Sequence, residues 1–504
     1  MRAMGYAIGG ALLDGRRGYA RARAHMSQVN ILFLMDDQHR GDCIGAAGSE
    51  WVETPNLDRL AQKGALFVKA YTSLPSCTPA RSSLLTGKSP WSHGMLGYKK
   101  IPPQYEYEMP RMFTDAGYST HAVGKMHFQD HYHGYQSIVL EEAWRLRSEG
   151  FKCDYRRWFE ANHPDKDVDA TGLSYTDHRG GRFFPYDESL HPTNWTAEQG
   201  INFLQTYRGD RPWFLKISFK RPHPPFDPPK RFLDYYSTVD FPMPNVGQWA
   251  VRKFGKITGS LEKTPSATQG RFPDDEVSAS RQTYLAGISH VDEQVGRVLD
   301  ALKTRGDYEN TLILFTSDHG DMMGDHYLWR KCYAYEGSAR IPMIVRWPES
   351  LGLLAERGQV IEQLVELRDV LPTFLDAAGL YKPDDMDGMS MLELIVGQTQ
   401  NWRKVLDLEH AQIYWKGNSW VALTDGRYKY IYFTLTGEQQ LFDLDEDPHE
   451  MNNLADVIRN ASLLSQWRQC MIEHLSIRGD HWVKDGDLCI QSEAVYYSPH
   501  FPKT

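Results

Sequence analysis

Basic charge is scarce in this chain: its 504 residues carry a net charge of −9. That balance argues against nucleic acid as a partner. It also sets up no overall attraction for an anion, so any anion binding has to be local. Cysteine is equally sparse. The six thiols, Cys43, Cys77, Cys153, Cys332, Cys470 and Cys489, follow no zinc or redox spacing, and a chain of this length needs no disulfide stapling. No apolar run reaches the ~20 residues of a membrane-spanning helix. Internal repeats and low-complexity segments are absent, which excludes a repeat array.

What is present reads as a soluble globular protein of two or three units, with 41% hydrophobic and 24% charged residues. Aromatic content of 12%, including 14 Trp and 27 Tyr, suits a surface that stacks on sugar rings and equally suits ordinary cores. Near the start, Arg2 precedes a weakly apolar run and a cluster of arginines at Arg16, Arg17, Arg21 and Arg23. A signal peptide needs a cleaner apolar run and a small-residue cleavage site. Residues 1–27 therefore read as a disordered extension, an expression remnant or a mis-called start, with Met26 a candidate true beginning. The compartment stays open between the periplasm and the cytoplasm of a bacterium.

Apolar periodicity organises the remainder. Val29 to Met35 is a short buried-strand run that ends in Asp36-Asp37. Thr54 to Ala61 has a Thr cap, Pro in its first turn and Leu57, Leu60 and Ala61 on one face, which predicts a helix. A second helix is expected from Pro79 and a third from Pro110 to Ala116. A strand from Ser119 to Val123 leads into Gly124-Lys125-Met126-His127. Residues 128–195 lack a period and read as an insertion near the site. Trp213 to Phe219 is a strand followed by a Pro-dense loop carrying Arg221 and His223. Residues 240–278 read as a long loop, and Arg281 to Thr304 as an amphipathic helix. Thr311 to Thr316 is a strand ending at Ser317-Asp318-His319-Gly320. Strands alternating with helices predict an α/β fold with a large, mainly parallel sheet over residues 28–400. In such sheets ligands collect beyond the carboxyl ends of the strands, and Asp36-Asp37, Lys125-His127, His223 and Asp318-His319 each follow a strand-like run. Over residues 401–504 short alternating runs at 412–415, 419–424, 428–435 and 440–443 predict a small antiparallel sheet, with a helix from Leu454 to Ile477 packed on it.

The chemistry gathers at those strand ends. Asp36, Asp37 and Asp318 with His319 supply oxygens and one nitrogen, a set suited to a hard divalent cation, Ca²⁺ before Mg²⁺ or Mn²⁺. Arg81, Lys125 and Lys331 suit an oxyanion. His127 and His223 can orient a nucleophile or protonate a leaving oxygen. Singly, each is as well read as a turn acid, a surface lysine or a satisfied core histidine.

Their order resembles the type I, formylglycine-dependent sulfatases of the alkaline phosphatase superfamily, over about residues 29 to 460. Cys77-Thr78-Pro79-Ala80-Arg81 with Leu85-Thr86-Gly87 matches the signal for oxidising that Cys to formylglycine. Asp36-Asp37, Thr54 to Leu60, Gly124-Lys125-Met126-His127, Ser317 to Gly320 and Lys331 with Tyr335 to Pro342 fall in the family's order. The resemblance implies an alkaline phosphatase-like sheet and a metal held by Asp36, Asp37, Asp318, His319 and formylglycine 77. It implies that Arg81, Lys125 and His127 support the aldehyde hydrate, and that His223 and Lys331 hold the sulfate, with His223 favoured as the acid. An aldehyde hydrate suits the reaction because one hydroxyl attacks sulfur and the other then collapses to expel sulfate.

Many sulfatases have Asn where this chain has His319. Asp-His also occurs in related phosphonate monoesterases and phosphodiesterases, but those usually lack the second Asp and the Lys-x-His motif, both present here. The segments Gly324 to Lys331 and Arg221 to Pro229 resemble bacterial polysaccharide sulfatases, particularly uronate-2-O-sulfatases. That implies an exo-acting enzyme on a small sulfated saccharide, such as a 2-O-sulfated hexuronate of a glycosaminoglycan or an algal glycan, with Arg221, His326 and Arg330 as cationic contacts. The expected partners are that saccharide and a formylglycine-generating enzyme during maturation; neither nucleic acid nor membrane is expected, and an oligomer is compatible. The alternatives are a phosphonate monoester or phosphodiester hydrolase on the same scaffold, and a non-catalytic glycan-binding protein with an unmodified Cys77.

Overall fold

A computed structural model describes residues 29–128, 131–142 and 151–502; the expected extension over 1–27 lies outside them. The main sheet is built from β1 (Asn30–Asp37), β2 (Ala65–Phe67), β3 (Ser119–Gly124), β4 (Ser137–Leu140), β5 (Trp213–Pro222), β6 (Thr311–Ser317), β7 (Met343–Arg346) and β8 (Gln359–Ile361). Their order is β4-β3-β5-β1-β6-β7-β2-β8. All neighbours run parallel except at β7, which is antiparallel to both β6 and β2.

β1 shows why the sheet is buried on both faces. Ile31, Phe33 and Met35 join one hydrophobic core, and Leu32 and Leu34 join the other, as a period of two requires. Each such side chain contributes roughly 1.5–3 kcal/mol on burial. The first core is covered by α2 (Cys77–Thr86), following α1 (Pro55–Gln62) in the chain, through Ala80, Leu84 and Leu85. The second is covered by α3 (Pro192–Thr206) and α4 (Asp274–Arg305); α4 contributes Val291, Val295, Val298, Leu299 and Leu302.

Several expected boundaries move. The helix expected from Pro79 begins at Cys77 itself, because Pro is tolerated in a first turn, where its missing N–H has no intrahelical partner. Residues 128–195 are not structureless: they hold β4, a helix Asp154–Asn162 and the start of α3. The expected loop at 240–278 contains a helix, Gln248–Phe254, and α4 starts at Asp274, seven residues earlier than read, where Asp274, Asp275 and Glu276 favour a helix N-terminus.

After β8, α5 (Val370–Ala377) packs on the first core. A four-stranded antiparallel sheet follows, β9 (Leu406–His410), β10 (Trp420–Thr424), β11 (Tyr428–Phe433) and β12 (Gln439–Asp443), paired in sequence order. Trp420, Ala422, Ile431 and Phe433 face Tyr71, Trp249, Tyr333 and Tyr335 of the larger part. Val421, Leu423, Tyr430 and Tyr432 face Trp467, Met471 and Leu475 of α6 (Ala461–Ser476). The run at 412–415 is not a strand: Tyr414 has φ +66°, and its ring and Trp415 pack on Tyr333. The helix read from Leu454 starts only at Ala461, after two short 3₁₀ turns. Among the described residues no helix is long and apolar enough to cross a membrane.

Candidate active site

Four neighbouring strands release their chains at one end of the sheet. β1 delivers Asp36 and Asp37, β6 leads to Asp318 and His319, β3 to Lys125 and β5 to His223. At Gly124 the backbone has φ +95°, and a Cβ there would stand 2.1 Å from the Ser218 carbonyl oxygen. Glycine thus lets β3 turn against β5 and place Lys125, whose N–H donates to that same carbonyl at 2.8 Å. α2 brings its first residue, Cys77, to the same place.

The Cys77 side chain is fully buried. Its Sγ lies 3.1 Å from His319 Nε2 and 3.1 Å from Lys331 Nζ, and 3.9 Å from both Lys125 Nζ and Asp37 Oδ1. Arg81, one turn along α2, donates through Nη2 to Asp37 Oδ2 at 3.1 Å and through Nε to Asp318 Oδ2 at 3.0 Å. Lys125 Nζ lies 2.6 Å from Asp37 Oδ2. The two Oδ2 atoms are therefore tied to cations, and the two Oδ1 atoms face His319 Nε2, at 3.8 Å from Asp37 and 3.6 Å from Asp318. His223 Nε2 stands 4.0 Å from Asp37 Oδ1. Arg81 also donates to Ser218 Oγ at 3.1 Å.

Electrostatics follow from this packing. Burial pushes the Asp37 carboxyl up, but Lys125, His223, Lys331 and His319 together hold it well below the usual range. Burial and Asp37 push the Cys77 thiol up; Lys125, Lys331 and His319 outweigh them and draw it down to about 6. Burial, Lys125 and Lys331 drive His223 well below the usual imidazole range. Burial also raises Asp36, partly offset by His39.

A metal fits this donor set. Among the described residues one group could hold an ion: Asp37, Cys77, Asp318 and His319, whose ligand atoms all lie within 4.8 Å of one another. His319 Nδ1 is 2.9 Å from the Gly320 carbonyl, an arrangement that keeps the proton on Nδ1 and turns the Nε2 lone pair toward the group. Asp36 stands beside this group rather than within it. Its Oδ2 is 2.6 Å from His39 Nδ1, while its buried Oδ1 has no hydrogen-bond partner, an acceptor that a cation would satisfy. Hard oxygens with one imidazole suit a divalent cation.

The structure thus gathers Asp36, Asp37, Cys77, Arg81, Lys125, His223, Asp318, His319 and Lys331. His127 is buried close by in the chain, with φ +56° and its N–H donating to Glu142 Oε2 at 2.9 Å. The three expected saccharide contacts are engaged differently. Arg221 forks onto Asp227 at 2.7 and 3.0 Å. His326 packs on Trp249 and Tyr335, accepts from the Gly247 N–H at 3.2 Å and is pushed down to about 4 by burial. Arg330 lies over the Tyr414 ring at 5.2 Å. Four polar residues next to the cluster escaped the sequence reading: Gln38, His39, Ser218 and Asp321. Gln38 and His39 directly follow the acid pair and Asp321 follows Gly320, so proximity to the motifs was a usable signal for three of them.

Comparison with known proteins agrees with this geometry. The sulfatase family profile matches residues 29–380, and that of the N-sulphoglucosamine sulphohydrolase C-terminal region matches residues 324–476. An arylsulfatase of Clostridium perfringens is 37% identical over 485 residues, covering 94% of this chain and 99% of its own. A choline-sulfatase of Rhizobium meliloti is 31% identical, covering 85% of this chain and 82% of its own. Among solved structures, a phosphonate monoester hydrolase from Silicibacter pomeroyi superposes with a TM-score of 0.74 at 24% identity, covering 90% of this chain and 96% of its own; that likeness speaks to the fold.

Proposed function

Because this chain belongs to the sulfatase family and is a sulfuric ester hydrolase, we propose that it releases sulfate from a small sulfated saccharide through a formylglycine hydrate at position 77. The observation that carries the reading is the placement of Cys77: the first residue of a buried helix, with Lys331 Nζ and His319 Nε2 both 3.1 Å from its sulfur. That sulfur stands in here for an oxygen of the mature enzyme's hydrate. A helix N-terminus and two ammonium groups favour negative charge there.

A divalent cation, Ca²⁺ by the donor set, would be held by Asp37, Asp318, His319 and residue 77 with Asp36 beside them, and would supply Lewis-acid charge at the reacting oxygens. The chain's own residues perform the remaining work. Arg81 fixes Asp37 and Asp318, and so fixes where their second oxygens point. Lys125 and Lys331 meet the non-bridging sulfate oxygens. One hydroxyl of the hydrate gives up its proton to water and attacks sulfur, the S–O bond to the sugar breaks, and that oxygen leaves with a proton. His223 supplies the proton: an anion bound by the two ammonium groups offsets the repulsion that, together with burial, lowers its proton affinity. The second hydroxyl then loses its proton, the carbon–oxygen bond to sulfate breaks, and the aldehyde reforms and is rehydrated by water.

Arg221 and His326 are committed to internal partners, so of the three cations read for an acidic sugar Arg330 alone keeps that role, and a 2-O-sulfated hexuronate is a narrower reading than a sulfated sugar. The phosphonate reading is supported by the fold likeness and by His319; the choice between the two falls to the substrate panel.

The test is intact mass followed by turnover. Mature protein should weigh about 18 Da less than the encoded chain. It should release sulfate from defined sulfated saccharides and from an aryl sulfate faster than it cleaves a phosphonate ester. His223→Ala should lose about 10²-fold on sugar sulfates and far less on the aryl sulfate, whose leaving group needs no proton. Full turnover with an unconverted thiol would sink the mechanism, and equal loss on both substrates would remove His223 as the acid.

A further inference from the structure

We infer that His410 is a specificity-determining residue whose Nε2 accepts a hydrogen bond from a ring hydroxyl of the sulfated sugar. The inference rests on the reading that the substrate is a sulfated saccharide. His410 ends β9 and is buried, with 1% of its surface exposed. Its Nδ1 lies 2.5 Å from the Ala411 carbonyl oxygen. A carbonyl only accepts, so Nδ1 carries the proton and Nε2 presents a lone pair. Among the described residues that buried Nε2 meets no hydrogen-bond partner. A buried acceptor without a donor is costly, and a ligand that brings one removes the cost.

The strand sets where the imidazole faces. Side chains alternate along β9. Asp407 and Glu409 turn one way, onto Arg368 and Arg478. Leu406 and Leu408 turn the other way, to the cluster that holds Tyr71 and Tyr333 of the larger part, and His410 follows them. Two backbone bonds hold this strand end against the chain on either side of α2. The Glu409 N–H donates to the Ser73 carbonyl at 2.8 Å, and the Ala411 N–H to the Leu96 carbonyl at 2.6 Å. The ring is tilted 34° to that of Trp420, with centroids 6.5 Å apart. Trp420 Nε1 in turn donates at 3.1 Å to the carbonyl of Cys332, the residue after Lys331. Burial draws His410 down to about 4, and nearby His319 opposes its charge as well. The imidazole therefore stays a neutral acceptor beside the cluster.

The donor it meets belongs to the sugar rather than to the hydrate. His319, Lys331, Lys125 and Asp37 all contact the Cys77 sulfur, and His410 Nε2 does not. It stands outside the groups that touch position 77, where the remainder of the ester has to lie. A sugar carries hydroxyl donors there, and a simple aryl ring carries none. A site that offers a buried acceptor to one hydroxyl rejects a sugar lacking it, because the acceptor is then left unpaired.

The probe is a monosaccharide sulfate that the mature wild type turns over, with each ring hydroxyl replaced by hydrogen in turn. In the wild type one deoxy position should lower kcat/KM about tenfold. His410→Phe keeps a ring and removes the acceptor. It should lose about tenfold on the parent sugar, with no further loss at that deoxy position. Its loss on an aryl sulfate should be several-fold smaller. His410→Gln, whose amide oxygen reaches the place of Nε2, should lose less than the Phe variant. Melting temperature checks folding, and the wild-type deoxy series needs no variant. The His223→Ala loss should persist at every deoxy position, because it follows the leaving oxygen. Three results would each overturn the assignment: no sensitive deoxy position in the wild type, the same deoxy penalty in His410→Phe, or an equal loss on sugar and aryl sulfates. A wild type that releases sulfate from no sugar would remove the saccharide reading and this inference with it. Sugar turnover that ignores His410 would remove the inference alone.

Discussion

Two of the buried charge clusters among the described residues are built to opposite ends. Around Lys429, on the four-stranded sheet, a fully buried ammonium meets Glu336 at 2.6 Å, Glu450 at 2.9 Å and the Ala334 carbonyl at 3.0 Å. Glu450 turns its second oxygen to the Glu336 N–H at 2.8 Å. Each charge in that cluster points at another member, so it closes on itself and joins the small sheet to the large part. Around Cys77 the acids give one oxygen each to Arg81 or Lys125 and turn the other toward His319, that of Asp318 also accepting the Gln38 N–H at 3.3 Å. Both clusters bury charge; the one proposed to do chemistry is set apart by acceptors that face a shared space rather than closing on a cation.

Cys77→Ala breaks the second cluster where the comparison is sharpest. Sulfate release should fall by about 10³-fold or more, while the melting temperature holds, since a small buried side chain is replaced by another. A variant that still turned over at the parent rate would mean that those acceptors serve something else. Lys429→Met should show the converse. It leaves Glu336 and Glu450 buried without their cation, which destabilises by about 3–5 kcal/mol, read as a lower melting temperature, with kcat preserved in the protein that remains folded. A large kcat loss at unchanged stability would erase the distinction between the clusters.

The smallest effect concerns pH. Burial holds His93 at about 3 and His326 and His410 at about 4, below the ordinary imidazole value near 6.5. Their contribution to stability is complete above pH 6.5 and is lost as pH falls toward 4, because the unfolded chain takes up those protons first. Glu450, held at about 7, and Asp292, at about 6, act in the reverse direction, so the slope is the difference between the two sets. His93→Gln removes one member of the first set. It should flatten the fall in melting temperature between pH 7 and 5 by about 2 °C; an unaltered slope would show that His93 is not held neutral.

The site was legible wherever chemistry follows a strand. β1, β3, β5 and β6 were each readable as apolar runs, and Asp36-Asp37, Lys125, His223 and Asp318-His319 come directly after them. Cys77, Arg81 and Lys331 were legible from residue order and short motifs. Arg221 and His326 were misleading because a cation next to a motif looks like a ligand contact, and a sequence does not show that Asp227 or the Gly247 N–H has already engaged it. The helices inside 128–195 and 240–278 were missed because their anchoring residues are sparse: Tyr155 and Phe159 in one, Trp249, Ala250 and Phe254 in the other. Two or three buried positions per helix make too short a pattern to stand above a loop.

By itself the sequence determined the alternating α/β layout, the acid pair, the Cys-x-Pro-x-Arg run and hence the class of reaction, since these depend on local period and residue type. Tertiary structure alone decided which oxygens of the aspartates face His319, which cations are engaged elsewhere, and that His178 meets Asp321, 143 residues along the chain. Those outcomes depend on pairings between distant segments, and in a buried site the partner a charged group finds fixes what it can still do.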